Sequence, residues 1–179
     1  MKILLIGPQG SGKSTQGKLL AQYLGVPYIS TGDVLRDIAS LDTPEGKQIK
    51  QIIELGKLVD DITMRDLVKR RLEQSDCQNG FVIDGYPRSA EQADLFIAHN
   101  FKLDKAVYLQ VPEEKVVERL MNRGRADDTP ELIKVRLENY NNKISNLLDF
   151  LEGMKILVKI DGIGSVEDIQ QRIRETLKK

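Results

Sequence analysis

The amino-acid sequence predicts an α/β fold in which a five-stranded parallel sheet is flanked by helices. Short apolar runs alternate along the chain with segments of helical periodicity, which is the pattern of parallel strands joined by crossover helices. A glycine-rich loop joins the first run to the first helical segment. The chain has 179 residues, of which 40% are hydrophobic, and this is enough to build one core. We therefore expect a single domain over residues 1–179.

Five apolar runs are predicted as strands, because they are short and bounded by turn residues. They are residues 2–6, 28–30, 80–84, 105–111 and 155–160. Apolar spacing at helical intervals predicts helices over residues 14–24, 61–74, 89–99, 113–123, 130–150 and 165–177. Ser89 and Ser165 stand at the starts of two of these segments and are predicted as N-caps.

Residues 31–60 depart from this alternation. Two helical segments, 31–39 and 44–55, follow one another with no strand pattern between them. We expect them to form a small helical insertion. The core of the domain then comprises residues 1–30, 61–121 and 130–179.

Residues 7–14, Gly-Pro-Gln-Gly-Ser-Gly-Lys-Ser, form a complete phosphate-binding loop (P-loop) between a strand and a helix. The glycines let successive N–H groups point at phosphate oxygens, the helix adds its positive N-terminal end, and Lys13 supplies a cation. The loop therefore predicts a nucleoside triphosphate site. Either Ser14 or Thr15 is expected to supply the hydroxyl that holds Mg²⁺, and the motif leaves both open.

The composition of the chain limits the kinds of partner and cofactor that it can bind. The 27 basic and 27 acidic side chains cancel, so no global field draws the protein to nucleic acid or to an anionic membrane. Cys77 is the single cysteine, which excludes a disulfide within one chain and a cysteine-based zinc site. The sequence shows no signal-peptide pattern and no stretch of about 20 apolar residues. We expect a cytoplasmic, monomeric protein without zinc.

A carboxylate and a guanidinium follow the third predicted strand. Asp84 ends that strand, at the position where P-loop enzymes place an acid that orients Mg²⁺. A turn-forming aspartate before Gly85 is the alternative interpretation. Arg88 comes four residues later, and a planar guanidinium binds a phosphate monoester through two hydrogen bonds where lysine offers a point charge.

Further arginines follow the fourth predicted strand. Phosphoryl transfer between two nucleotides brings many negative oxygens into one cleft, and electrostatic positioning is most of what the protein supplies. A cluster of arginines is therefore expected in such an enzyme. Taken alone, these helical arginines could equally be solvated surface charges, with Glu118 as a partner. The residues are Arg119, Arg123, Arg125 and Arg136.

On these motifs the chain resembles the adenylate kinases of the nucleoside monophosphate kinase family, in a form with a very short lid. The resemblance covers nearly the whole length and implies reversible, Mg²⁺-dependent transfer of the γ-phosphoryl group of ATP to AMP, giving two ADP. Its motifs are the P-loop, residues 29–36, residues 56–59, residues 84–89 with Gln92, and residues 125–128 with Arg136.

The resemblance also implies that residues 31–60 are the monophosphate-binding insertion, and it implies the site residues. AMP would be bound by Thr31, Arg36, Lys57, Val59, Gly85, Arg88 and Gln92. ATP would be bound by Gly10, Ser11, Gly12, Lys13, Ser14, Thr15, Arg119, Arg123 and Gly164, although the turn at Gly164 would look the same without a ligand. The transferred group would be surrounded by Lys13, Arg88, Arg123, Arg125 and Arg136, and Mg²⁺ would be held directly or through water by Asp84 with Ser14 or Thr15.

The chain departs from the family pattern in the P-loop and in the lid, among other places. Ser14 stands where the family usually has glycine, which is why the Mg²⁺ hydroxyl is left open. In the lid, only Gly124 separates Arg123 from Arg125, so no hairpin fits there. Residues 122–129 are therefore expected to form a minimal lid loop.

The sequence is compatible with three functions. The first is an AMP kinase, the second is a kinase for another nucleoside monophosphate such as CMP or UMP, and the third is a P-loop ATPase that acts as an assembly switch. Thr31 and Gln92 argue against the second. The third has no need of Arg36, Arg88 and Gln92 together.

Overall fold

A computed structural model describes residues 1–55, 59–98, 101–123 and 129–178. Its five strands form one parallel sheet in the order β2-β3-β1-β4-β5. This confirms the predicted fold class, and the predicted strands differ from the observed ones only at their ends. The strands are β1 Lys2–Ile6, β2 Tyr28–Ser30, β3 Phe81–Asp84, β4 Lys105–Gln110 and β5 Leu157–Asp161.

Helices cover the sheet and form the insertion. They are α1 Lys13–Leu24, α2 Thr31–Ala39, α3 Pro44–Glu54, α4 Asp61–Leu72, α5 Ala90–Ala98, α6 Glu113–Arg123, α7 Pro130–Gly153 and α8 Val166–Leu177. A 3₁₀ turn, Ser75–Cys77, precedes β3 and was not predicted. In the part of the chain that the structure describes, no helix has the length and apolar character needed to cross a bilayer.

The predicted caps are confirmed, and one helix is longer than predicted. Ser89 Oγ accepts a hydrogen bond from the Gln92 N–H at 3.3 Å, and Ser165 forms a reciprocal capping box with Asp168. Helix α7 runs to Gly153 rather than to residue 150. The strand after it starts at Leu157 because Lys155 adopts a left-handed conformation, with φ of 60°, which ends the helical path.

The sheet is buried on both faces, as near-continuous apolar strands predict. Leu4 and Ile83 belong to a core cluster on one face, which also contains Phe96 of α5 and Leu147 and Leu151 of α7. The second face is covered by α1 and α8, whose Leu20 and Ile173 pack with Ile3, Leu5 and Val107. This sandwich fixes the carboxyl ends of the strands, where the predicted site residues lie.

A third, smaller cluster joins α6 to α7. Val116 and Leu120 of α6 pack with Ile133 and Leu137 of α7, and all four side chains are at most 4% exposed. This contact, called the α6–α7 cluster below, holds the two helices that flank residues 124–128.

The insertion follows β2 directly. Among the described residues between β2 and α4 no strand occurs, as predicted. Val34 of α2 and Ile49 of α3 belong to the main core cluster, so the insertion rests on the domain through apolar contacts. Gly46 allows α3 to approach α2 closely, because a Cβ there would lie 2.6 Å from Ile38 O in α2.

Candidate active site

Several of the predicted site residues lie at the carboxyl edge of the sheet. Gly7 follows β1, Thr31 follows β2, and Asp84 ends β3. Strand β1 lies directly beside β3, with Leu5 opposite Asp84 in the register. The P-loop and Asp84 are therefore neighbours, and this edge is where open α/β sheets bind ligands.

The P-loop has an open inner side. Gly10 and Gly12 have φ of 87° and 94°, in the left-handed region that favours glycine. A Cβ on Gly10 would lie 2.8 Å from Leu120 Cγ, whereas a Cβ on Gly12 would meet no heavy atom within 4 Å. No side chain caps the start of α1, so its first N–H groups are available to an anion.

Lys13 lies over the loop that precedes it. Its Nζ donates a hydrogen bond to Pro8 O at 2.9 Å. Burial is the main cause that lowers the pKa of Lys13, while Asp84 raises the pKa and Arg88 lowers it further. Triphosphate oxygens would compensate the charge of the ammonium group better than the single Pro8 carbonyl does.

Asp84 is a buried carboxylate held by two hydroxyl groups. The residue is 7% exposed. Ser14 Oγ donates a hydrogen bond to Asp84 Oδ2 at 3.1 Å, and Tyr28 OH donates to the same oxygen at 3.0 Å. The residue that departs from the family pattern, Ser14, therefore contacts the predicted magnesium carboxylate directly.

Sequence reasoning missed Tyr28. Burial and then Asp84 raise the pKa of its hydroxyl, which keeps it protonated as a donor. A Cβ on Gly17 in α1 would overlap the Tyr28 ring, so a glycine there lets the ring lie against the helix. A glycine inside a helix costs about 1 kcal/mol relative to alanine, and Gly17 was thus an unused indication of close packing at this place.

The turn after β3 contacts the first residue of α2. Gly85 has φ of 95°, and a Cβ on it would overlap Thr31 Oγ1, so the turn and Thr31 touch only because residue 85 is glycine. Arg88 Nε donates a hydrogen bond to Gly85 O at 2.5 Å. Burial lowers the pKa of Arg88, and Asp84 opposes this shift.

The side-chain amide of Gln92 forms hydrogen bonds with two neighbouring residues. Its Oε1 accepts a hydrogen bond from the Arg88 backbone N–H at 2.7 Å, and its Nε2 donates to Asp61 Oδ1 at 2.6 Å. Asp61 is the first residue of α4 and was not predicted as a site residue. The two side chains are 31 positions apart in the chain, so no local sequence motif indicates their contact.

Two other predicted AMP residues lie on the insertion side. The Arg36 guanidinium forms an ion pair with Asp33 one turn earlier on α2, and both side chains are exposed. A phosphate would therefore compete with Asp33 for Arg36. Val59 is half-buried and packs against the main core cluster.

Arg119 bridges the P-loop to the turn after β5. Its guanidinium donates to Ser11 O at 3.3 Å and to Gly162 O at 3.0 Å. Glu118, the alternative surface partner, pairs instead with Lys115. Arg119 thus connects the loop to the turn that contains Gly164, whose φ is 125°.

Several predicted residues fall outside the described part of the chain. These are Lys57, Arg125 and most of the lid loop, and of Arg123 only the backbone at the end of α6 is described. Arg136 is half-buried on α7, between Ile133 and Leu137 of the α6–α7 cluster.

The donors at this edge suit Mg²⁺ bound largely through a nucleotide. Within residues 1–55, 59–98, 101–123 and 129–178, no group of three or more His, Cys, Asp or Glu side chains is placed to hold a metal ion. Asp84 and Ser14 offer two hard oxygen donors in contact with each other. Mg²⁺ is commonly held by one or two protein groups together with waters and substrate phosphates, and this donor set fits that mode.

A P-loop, a carboxylate at the end of the adjacent strand and an arginine-bearing turn beside it define the class of P-loop kinases. The family model described as "Adenylate kinase" matches residues 5–156. The adenylate kinase of Corynebacterium urealyticum is 43% identical over 175 residues, covering 96% of both chains. Those of Nocardia farcinica and Stenotrophomonas maltophilia are 42% and 40% identical, each over at least 99% of both chains. The chain belongs to the adenylate kinase family.

Proposed function

We propose that this chain catalyses the reversible, Mg²⁺-dependent transfer of the γ-phosphoryl group of ATP to AMP, giving two ADP. The observation that carries the proposal is that the P-loop and the arginine-bearing turn meet at one buried carboxylate. Ser14 of the P-loop donates a hydrogen bond to Asp84, and Arg88, four residues after Asp84, donates back to Gly85 O. A kinase acting on two nucleotides needs such a meeting point between its two phosphate sites.

The ATP side of the site is formed by the P-loop and the turn after β5. Backbone N–H groups of Gly10, Ser11 and Gly12 would bind phosphate oxygens, and Lys13 would neutralise them. Arg119, which already joins Ser11 to Gly162, would lie at the boundary between the phosphates and the base. The other residues assigned to this side are Ser14, Thr15, Arg123 and Gly164.

The AMP side is formed by the insertion and the turn after β3. Arg36 and Arg88 would bind the monophosphate, since a guanidinium can donate two parallel hydrogen bonds to it. Gln92 would read the base, because a primary amide both donates and accepts. Thr31, Lys57, Val59 and Gly85 complete this side.

The protein's part in the reaction is positioning and charge neutralisation. Phosphoryl transfer needs the attacking and leaving oxygens in line, and negative charge spreads over the oxygens of the transferred group. Lys13 and Arg88, with Arg123, Arg125 and Arg136, would hold that group. Bound Mg²⁺ would supply additional neutralisation of the phosphate oxygens.

We assign the Mg²⁺ hydroxyl to Ser14, because its Oγ already contacts Asp84. Ser14→Ala is expected to raise the Mg²⁺ concentration needed for half-maximal rate by about tenfold, which corresponds to the loss of one charge-assisted contact. Titration of the initial rate with Mg²⁺ at fixed ATP measures this. Ser14→Thr retains a hydroxyl and serves as the control. A shift seen in Thr15→Val and absent in Ser14→Ala would assign the metal to Thr15 instead.

The function itself is tested by offering ATP with AMP, CMP, UMP or GMP in turn. A coupled assay of ADP formation, with Mg²⁺ and then with EDTA, is expected to show transfer with AMP that EDTA abolishes. Transfer to CMP or UMP in preference to AMP would identify a kinase for another monophosphate. ATP hydrolysis that no monophosphate stimulates would identify an ATPase.

Arg88 is expected to act mainly on the monophosphate. Arg88→Lys should raise the KM for AMP by about 100-fold, because two hydrogen bonds to phosphate become one point-charge contact, while the KM for ATP changes little. Steady-state kinetics with each substrate varied in turn measures the two constants. Arg70→Lys, an exposed arginine on α4 paired with Glu45, is the matched control. Equal rises in both KM values would contradict the assignment.

We also propose that the enzyme works as a cytoplasmic monomer. Every residue assigned above belongs to one chain, so the site does not require a second copy. Cys77 is buried at 2% exposure, which favours a free thiol kept from oxidation. Light scattering at micromolar concentration tests the monomer, and a mass of two chains would contradict it.

A further inference from the structure

The amide of Gln92 has its orientation fixed from both ends. Its oxygen faces a donor, the Arg88 backbone N–H, and its nitrogen faces an acceptor, Asp61 Oδ1. If the amide turned over, the nitrogen would face the N–H group and the oxygen would face the carboxylate. Both hydrogen bonds would be replaced by donor–donor and acceptor–acceptor contacts, so the reversed orientation is disfavoured twice.

Asp61 and Gln92 both lie at the starts of capped helices. Asp61 begins α4, where Asp60 accepts hydrogen bonds from Thr63 N at 2.9 Å and from Thr63 Oγ1 at 2.7 Å. Gln92 lies in the first turn of α5, and its own N–H donates to Ser89 Oγ. The contact between Asp61 and Gln92 therefore joins two helix starts rather than two loose side chains.

An amide with a fixed orientation presents one defined arrangement of hydrogen-bond donor and acceptor to a ligand. After the two internal hydrogen bonds, Nε2 retains one hydrogen and Oε1 retains one lone pair. A purine with an acceptor at N1 and an amino donor at C6 matches that pattern, and this is adenine. Hypoxanthine carries N1–H and a C6 oxygen, so it would need the amide turned over. The carboxylate of Asp61 makes this reversal of the Gln92 amide unfavourable, although it does not contact the base itself.

We propose that Asp61 is a positioning residue that sets the base selectivity of the monophosphate site through the orientation of the Gln92 amide. The proposal rests on the function proposed above, because it takes Gln92 as the group that reads the base. Asp61 is the partner that makes the difference, since its carboxylate can only accept hydrogen bonds. An asparagine in its place could present either its oxygen or its nitrogen to Gln92.

The test compares the binding of AMP and IMP, which differ in the reversed N1 and C6 edge, by calorimetry without ATP. The ratio of the two dissociation constants is expected to favour AMP in the unaltered protein. Asp61→Asn is expected to reduce that ratio by about tenfold, mainly through tighter binding of IMP, because one of the two constraints on the amide is removed. Asp61→Glu keeps an acceptor and is expected to restore most of the selectivity.

Asp66→Asn provides the matched control, because Asp66 is an exposed aspartate on the same helix that pairs with Arg65. Its AMP-to-IMP ratio is expected to equal that of the unaltered protein. Thermal melting checks that each variant folds. If Asp61→Asn does not fold, Asp61→Ser, whose hydroxyl both donates and accepts, is expected to lower the ratio in the same way.

Two outcomes separate this proposal from the proposed function. An unchanged AMP-to-IMP ratio in a folded Asp61→Asn or Asp61→Ser protein that still binds AMP overturns the role of Asp61 alone. Failure of the unaltered protein to bind AMP overturns the proposed function, and with it the assignment of Gln92 as the group that recognises the base. A lowered ratio that Asp61→Glu restores supports the positioning role, since a general loss of structure would weaken both ligands alike.

Discussion

Replacement of Lys13 by methionine is expected to lower kcat for ADP formation by about 10³-fold, the scale of losing one preorganised charge at the reacting group. Methionine has a similar length but no charge. Lys13 is half-buried, and burial lowers its pKa, which is the direction expected where an ammonium group is partly removed from water. In such surroundings a charge stabilises phosphate oxygens far more than it would in bulk water. The loss should therefore appear mainly in kcat.

Lys18→Met is the matched control, since Lys18 is an exposed lysine on the same helix, α1. We expect its kcat to stay close to that of the unaltered protein. The measurement is the initial rate with ATP and AMP both saturating. If Lys13→Met and Lys18→Met have the same kcat, Lys13 does not act on the transferred group.

The sequence was sufficient for the parts of the site that are built locally. The P-loop, the Asp84 at a strand end and the Arg88 turn are each contained in a few consecutive residues. Their flanking strands and helices follow from apolar spacing, and the order of these elements places them at one edge of a parallel sheet. The amino-acid sequence alone therefore locates those features.

The other contacts of the site could not be predicted from the sequence, because they join side chains of segments that are distant along the chain. Tyr28 and Asp84 are 56 positions apart, and Ser14 and Asp84 are 70 positions apart. Which of two adjacent hydroxyls, Ser14 or Thr15, reaches Asp84 depends on the exact rotation of α1 against β3. The 3₁₀ turn before β3 was missed for a related reason, since one turn of three residues has no apolar period to detect.

Arg136→Ala is expected to lower kcat by about 10³- to 10⁵-fold, the range measured for arginines that stabilise a phosphoryl-transfer transition state. The structure supports a fixed position for this residue. Helix α7 starts at a Thr129 cap, whose Oγ1 accepts a hydrogen bond from Leu132 N at 3.3 Å. Ile133 and Leu137, on either side of Arg136, belong to the α6–α7 cluster.

That cluster connects Arg136 to the P-loop. Leu120 of α6 lies 2.8 Å from the position of a Cβ on Gly10, so the helix pair is seated directly against the loop. Such a support holds the backbone of α7 at Arg136 in place before a substrate binds, and preorganised charge is what lowers the barrier. We therefore expect the effect of the mutation to fall on kcat, with the KM values for ATP and AMP changed by less than about tenfold.

Lys134→Ala is the matched control for Arg136→Ala, because Lys134 is an exposed cation on the same turn of α7. Its kcat should stay close to that of the unaltered protein. Arg136→Lys separates charge from geometry: lysine restores the positive charge but not the planar pair of donors, so we expect it to recover only a small part of the rate. Full recovery by lysine would show that Arg136 acts as a distant charge. An unchanged kcat in Arg136→Ala would remove Arg136 from the catalytic site altogether.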